Sequence, residues 1–251
     1  MQAEIKGTTM PVLQVALEQG EEVVSTHGEL AWMTPSIMMS QTTNTGGTGG
    51  FMQGLKRMVA GGGLFMTRYA GPGAITFAAK LPGHIVPVDI EAGQSYFVHR
   101  HGWLCGTSGI VPGMGFQQSF RGGLYGGDGF ILQKLEGQGR AWIELSGELT
   151  SYELPPGQML LVHPGHIGMF QGTVTFRVTR IPGIANMFFG SDGFHVVALT
   201  GPGRVWLQSM PLPVLAQALS EYLGRDDRND RSGAAVQGGL AGGIIGDMLG
   251  R

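Results

Sequence analysis

Apolar positions along this chain come in short runs that glycine and proline repeatedly cut off. In the first 36 residues the runs fall at 12–17, 23–24 and 30–33, broken by Pro11, Gly20, Gly28 and Pro35. That pattern predicts strand-length pieces. Further along, one arrangement recurs: residues 63–78 read GLFMTRYAGPGAITFA, 129–144 GFILQKLEGQGRAWIE and 193–208 GFHVVALTGPGRVWLQ. Their Gly-x-Gly tips at 71–73, 137–139 and 201–203 lie 66 and 64 residues apart (137 − 71 and 201 − 137). A period of that size predicts three structural repeats, at about 12–80, 88–147 and 152–209. Glycine supplies the positive φ of a tight turn, so each arrangement reads as a long β-hairpin. Phe130, Trp142, Phe194 and Trp206 recur at matching places and read as core. Proline-bearing stretches at 81–87 and 149–156 read as connectors between repeats.

A second landmark glycine, at 20, 93 and 157, shows that the first repeat is seven residues longer, since 73 − 20 is 53 while 139 − 93 and 203 − 157 are 46. The surplus falls in 41–63, a Thr/Gly loop followed by a short amphipathic segment, 51–60, with Phe51, Leu55 and Val59 in line and Lys56 and Arg57 off it. Past residue 210 the period changes. Val214, Leu215, Ala218, Leu219 and Tyr222 form a helical stripe, with Pro213 near its start and Gly224 as its stop, predicting a helix over 211–224. Residues 225–251 read as a flexible charged linker and a glycine-rich tail. The expected organisation is a single all-β domain over 1–210, then the helix, then the tail.

Composition narrows the function. Charged residues are 14% of the chain against a typical share of about 25%, which suggests that part of the surface is covered by other subunits or a membrane. Net charge is −2 with no long basic run, so the electrostatic footprint of a nucleic-acid binder is missing. The lone Cys105 fits a reducing compartment and reads as a small buried hydrophobe. The first residues do not resemble a secretory signal, and no run of about 18 apolar residues occurs. A cytoplasmic location, peripheral to the inner membrane, is the expectation.

Candidate chemistry centres on four histidines. Residues 93–101 read G-x5-H-x-H, placing His99 and His101 on one face if the strand runs through both; His163 and His166 follow one period later. This resembles the first half of the cupin signature, but residues 102–107 (GWLCGT) lack its glutamate. The favoured reading is that the histidines mark strand ends and hydrogen-bond to turns. The alternative is a cupin-like metal-dependent enzyme using His99 and His101 with His163 or His166. Neither a phosphate-binding loop nor a nucleophile elbow is present, and Glu136, Glu144, Glu148 and Glu153 have no implied partner. No cofactor and no catalytic residue is expected.

Four stretches resemble a known family, that of altered inheritance of mitochondria protein 24: Gly54-Leu55-Lys56-Arg57, Gly63-Leu64-Phe65-Met66, residues 81–87 (LPGHIVP) and residues 201–208 (GPGRVWLQ). The resemblance spans about residues 1–210. It implies a fold like the tryptophan-RNA-binding attenuation protein, a three-repeat double-stranded β-helix prone to oligomerise. The fungal member is a mitochondrial inner-membrane protein linked to cristae organisation. The resemblance supplies no catalytic residues, and the namesake's tryptophan and RNA ligands do not transfer to a chain that is not basic. Residues and resemblance together lead to an expected non-enzymatic oligomeric scaffold, a trimer or a multiple of one, with peripheral membrane contact through 51–60 or 238–251. Nucleic-acid binding by fold analogy ranks last.

Overall fold

The computed structural model describes residues 1–26, 28–42, 66–118, 130–180 and 195–222. The segment 43–65, with its amphipathic 51–60 piece, lies outside the described residues, as do Phe194 and the tail beyond 222. Nearly all of what is described is antiparallel β structure. The chain begins with β1 (Gln2–Lys6), β2 (Val12–Leu17), β3 (Glu22–Thr26), β4 (Leu30–Met33), β5 (Met38–Thr42), β6 (Met66–Ala70) and β7 (Gly73–Ala78). It continues with β8 (Gly83–Ile90), β9 (Tyr96–His99), β10 (Trp103–Thr107), β11 (Ile110–Gln118), β12 (Phe130–Gly137) and β13 (Gly139–Ser146). It ends with β14 (Leu149–Leu154), β15 (Met159–Val162), β16 (Ile167–Gln171), β17 (Thr175–Arg180), β18 (His195–Thr200), β19 (Gly203–Gln208) and helix α1 (Leu212–Tyr222).

The strands form four open sheets, ordered β1-β2-β7-β4, β5-β6-β3-β10-β13-β8, β11-β12-β9-β16-β19-β14 and β15-β18-β17. Within them the triplets β2–β7–β4 and β3–β6–β5 are followed by β8–β13–β10 and β9–β12–β11, then by β14–β19–β16 and β15–β18–β17. Two joints link the sets: β3 pairs with β10, and β9 with β16.

This pairing corrects the hairpin reading. β6 pairs with β3 and β5 while β7 pairs with β2 and β4, so the arms flanking Gly71-Pro72-Gly73 lie in different sheets. The arms at 137–139 and 201–203 part in the same way. Each tip is a corner carrying the chain from one sheet to the next. Glycine is required there by close approach: a β carbon on Gly137 would sit 2.0 Å from the Gly109 carbonyl oxygen, and one on Gly201 2.3 Å from that of Leu154. The proline-bearing connectors are also corrected, since 83–90 and 149–154 are strands. Pro87 is tolerated because β8 is a sheet edge, where a missing N–H interrupts no second ladder.

Three hydrophobic clusters lie between successive sheets. Leu13, Ile75 and Phe77 of the first sheet meet Val23, Leu104 and Trp142 of the second. Val24, Trp103 and Ile143 of the second meet Tyr96, Val98 and Met169 of the third. Leu132, Phe170 and Val205 of the third meet Val162, Val197 and Leu199 of the fourth. A middle sheet covered on both faces needs apolar residues in succession, which is why Val23 and Val24 are both fully buried on one strand. Phe130 and Trp142 are core, as expected, and Trp206 packs half-buried against the second cluster. The chain divides into two units, Met1–Val214 and Leu215–Arg251. In the second, the described part is the remainder of α1. No helix among the described residues is long and apolar enough to cross a membrane.

Candidate functional site

A group of titratable side chains, Glu29, Lys80 and Glu144, lies at the first joint between strand sets. At the first joint Glu144, buried on β13, accepts from the Lys80 backbone N–H (2.9 Å) through Oε2 and from Lys80 Nζ (3.1 Å) through Oε1. Lys80 Nζ also donates to Glu29 Oε1 (2.5 Å), which accepts from the Thr26 hydroxyl as well (3.2 Å). The second oxygen, Glu29 Oε2, is buried with no hydrogen-bond partner among the described residues. Burial pushes the Glu144 carboxyl above its ordinary range, with Lys80 opposing and Glu29 adding to the shift. Lys80 is held above its usual value: burial pulls it down, and its two carboxylate partners outweigh that.

The second joint repeats this geometry in neutral form. Gln208 stands 64 residues after Glu144, and its Oε1 accepts from the Ser146 backbone N–H (3.0 Å), while its Nε2 donates to the Gly165 carbonyl (3.2 Å). Each joint residue is bonded through its own carbonyl to a histidine. His99 Nε2 meets the Glu144 carbonyl oxygen at 3.1 Å and His166 Nδ1 meets that of Gln208 at 2.8 Å. A carbonyl only accepts, so those ring nitrogens carry the proton and each tautomer is set by the backbone. Burial drives the His99 pKa down to about 4, against the help of the Glu144 carbonyl and with Lys80 and His101 nearby.

The structure separates the four predicted histidines by role. β9 ends at His99 and the chain turns through Arg100 and His101, with the Gly102 N–H bonded to the His99 carbonyl (2.8 Å), so strand alternation does not carry His101 onto the His99 face. His101 is exposed, and partial burial of its ring, then Arg100 and Lys80, lower its pKa. His163 and His166 bracket a 3-10 turn, their rings edge to face at 5.7 Å. Burial, then His166, lowers the His163 pKa. Among the described residues no three His, Cys, Asp or Glu side chains gather where they could hold a metal ion. Cys105 is fully buried on β10, and burial pushes its thiol well up, away from nucleophilic reactivity.

Sequence reasoning missed Lys80 and Glu29 and left Glu144 without a partner. The available signal was the period itself: Lys80 precedes Glu144 by 64 residues, as Ser146 precedes Gln208 by 62. Nothing in it reveals a charged side chain at one joint and an amide at the other until the two are superposed.

The comparisons with known proteins bear on the whole β unit. The sequence model of the family described as Mitochondrial biogenesis AIM24 matches residues 3–210. A crystal structure of protein SPYM3_0169 from Streptococcus pyogenes is similar with a TM-score of 0.68 and 20% identity, covering 88% of this chain and 99% of that one. At that identity the likeness speaks to fold alone. No curated protein matches the sequence.

Proposed function

The chain belongs to the mitochondrial biogenesis AIM24 family, and on that footing we propose that it is a non-enzymatic, oligomeric β scaffold that makes peripheral contact with a membrane surface. The β domain over 1–210 is, in this reading, a double-stranded β-helix of three repeats, supported by the recurring strand triplets and the 64–66-residue spacing of the glycine corners. The observation that carries the functional reading is where these ionisable groups go: Lys80 and Glu144 tie the first strand set to the second, and His99 and His166 tie elements within one set through the Glu144 and Gln208 carbonyls. Side chains committed to such ties serve architecture. Exposed apolar side chains, including Trp32, Met159 and Leu161, supply surface for association.

Light scattering coupled to size-exclusion chromatography tests the oligomer, which is expected to run above the mass of one chain at micromolar concentration; a monomer there overturns it. Flotation with anionic liposomes tests the membrane clause, comparing the full chain with a version ending at Gly224. Recovery of the full chain with the vesicles is expected, and no flotation of either removes the clause.

A further inference from the structure

The two joints obey one pairing rule, and the rule stops short at both ends of the chain. At the first joint β3 pairs with β10 so that Val24 faces Gly106 and Val23 faces Thr107. At the second β9 pairs with β16 so that Val98 faces Met169, Phe97 faces Phe170 and Tyr96 faces Gln171. Counted from the landmark glycines Gly20, Gly93 and Gly157, the same offsets meet in both: the fourth residue after one landmark faces the thirteenth after the next (24 − 20 and 97 − 93; 106 − 93 and 170 − 157). The third set has a strand at the donor position, β15, and the first has one at the acceptor position, β4. Both are sheet edges among the described residues, where β15 pairs only with β18, and β4 only with β7.

Exposure follows the same logic. Val24 is fully buried at its joint, whereas its counterpart on β15, Leu161, is 53% exposed. Cys105 and Met169 are fully buried, whereas their counterpart on β4, Trp32, is 57% exposed. Two apolar strands of four residues, each with one ladder of N–H and C=O groups unpaired among the described residues, therefore stand in the first and last sheets of the β unit. Edges of that kind recruit another strand.

We infer that β15 of one copy pairs antiparallel with β4 of a second copy, continuing between chains the joint that the fold uses twice within one. This rests on the oligomeric-scaffold reading and assigns its interface. Offset by offset, Leu160 faces Thr34, Leu161 faces Met33 and Val162 faces Trp32 of the next copy. The contact is head-to-tail, because the two edges differ, so copies close into a ring or extend into a filament according to the rotation each joint imposes. The three-stranded fourth sheet then gains a partner sheet, as the two middle sheets already have.

The experiment uses the full chain with one cysteine introduced per variant. Residues facing each other across an antiparallel ladder have Cα atoms about 4.5–5.5 Å apart, within disulfide reach, and adjacent facing pairs alternate in hydrogen-bonding geometry. Leu161→Cys is mixed with Met33→Cys, and Leu160→Cys with Thr34→Cys, before mild oxidation; Cys105 is buried and stays as it is. A disulfide-linked dimer of the two variants is expected in at least one mixture, well above the yield from either variant alone or from the offset mixture of Met159→Cys with Met33→Cys. In parallel, Leu161→Asp and Trp32→Asp, both at exposed positions, are each expected to lower the light-scattering mass to that of one chain with an unchanged β-sheet circular dichroism spectrum. An oligomer that forms no directed cross-link and survives both aspartates overturns this interface while leaving the scaffold reading standing. A parent chain that is already monomeric overturns both.

Discussion

His99 makes the most direct test of the buried side-chain-to-backbone bonds as a structural device. Its Nε2–H donates to the Glu144 carbonyl, and burial holds the ring neutral with a folded pKa of about 4. The unfolded ring titrates near 6.5, so the unfolded chain takes up the proton first as pH falls. A base whose folded pKa is depressed gives stability that is fully present above the unfolded value and is lost as pH falls through the folded one. Between pH 6.5 and 4 the loss approaches one proton's worth, about 1.4 kcal/mol per pH unit, which gives about 2 kcal/mol at pH 5 and about 3 kcal/mol at pH 4. Urea unfolding at pH 7.5, 6, 5 and 4 measures the curve for the wild type and for His99→Gln, whose amide keeps a donor for Glu144 but does not titrate. Carboxylates, His101 and His163 act in both proteins, so the difference between the curves isolates His99. The same slope in both proteins over this window, or an imidazole midpoint at or above 6 by nuclear magnetic resonance, would refute the assignment.

Glu144 carries the opposite sign: its folded pKa is raised, so its contribution is present below the unfolded pKa and lost as pH rises through the folded one. Glu144→Gln, the residue found at the matching place in the second joint, keeps an acceptor for the Lys80 N–H and is expected to leave stability at pH 7 unchanged or higher. Glu144→Ala strands that N–H and is expected to cost about 1–3 kcal/mol by urea unfolding. Phe170 is fully buried between Phe97 (5.2 Å, stacked) and Phe176 (5.6 Å), so Phe170→Ala should cost about 3–5 kcal/mol by the same measurement. Two glycines separate backbone strain from close approach. Gly20 has φ +85° in open space and Gly137 has φ +108° with the Gly109 carbonyl in the way. Gly20→Ala should cost about 1–2 kcal/mol and Gly137→Ala distinctly more in melting experiments.

The candidate site was legible only in fragments. His99 and His163 stood out because they recur at one spacing; His99 is the last residue of β9, but its ring bonds the Glu144 carbonyl on strand β13 and not a turn. His101 was misplaced because strand alternation was extended one turn too far. Lys80 and Glu29 carried no local signal at all: a lysine after a strand and a glutamate after a turn are ordinary surface residues until the pairing of β3 with β10 brings them within reach of Glu144.

Alternation of apolar residues with glycine punctuation was enough to establish an all-β chain, because side-chain period and backbone conformation are local properties of a few neighbouring residues. The same residues determined that the tips needed glycine and that Trp142 and Phe130 belonged in a core. Which strands pair was decided only in the tertiary structure. Arms joined by Gly-x-Gly satisfy the same alternation whether they fold back on each other or part into two sheets. The close approach of Gly137 to Gly109 and of Gly201 to Leu154 belongs to the second arrangement. The unfilled edges of β4 and β15 are likewise invisible in the sequence, where Trp32 and Leu161 look like their buried counterparts Cys105 and Val24. Exposure depends on which strand lies alongside, and that neighbour is fixed by contacts far apart in the chain.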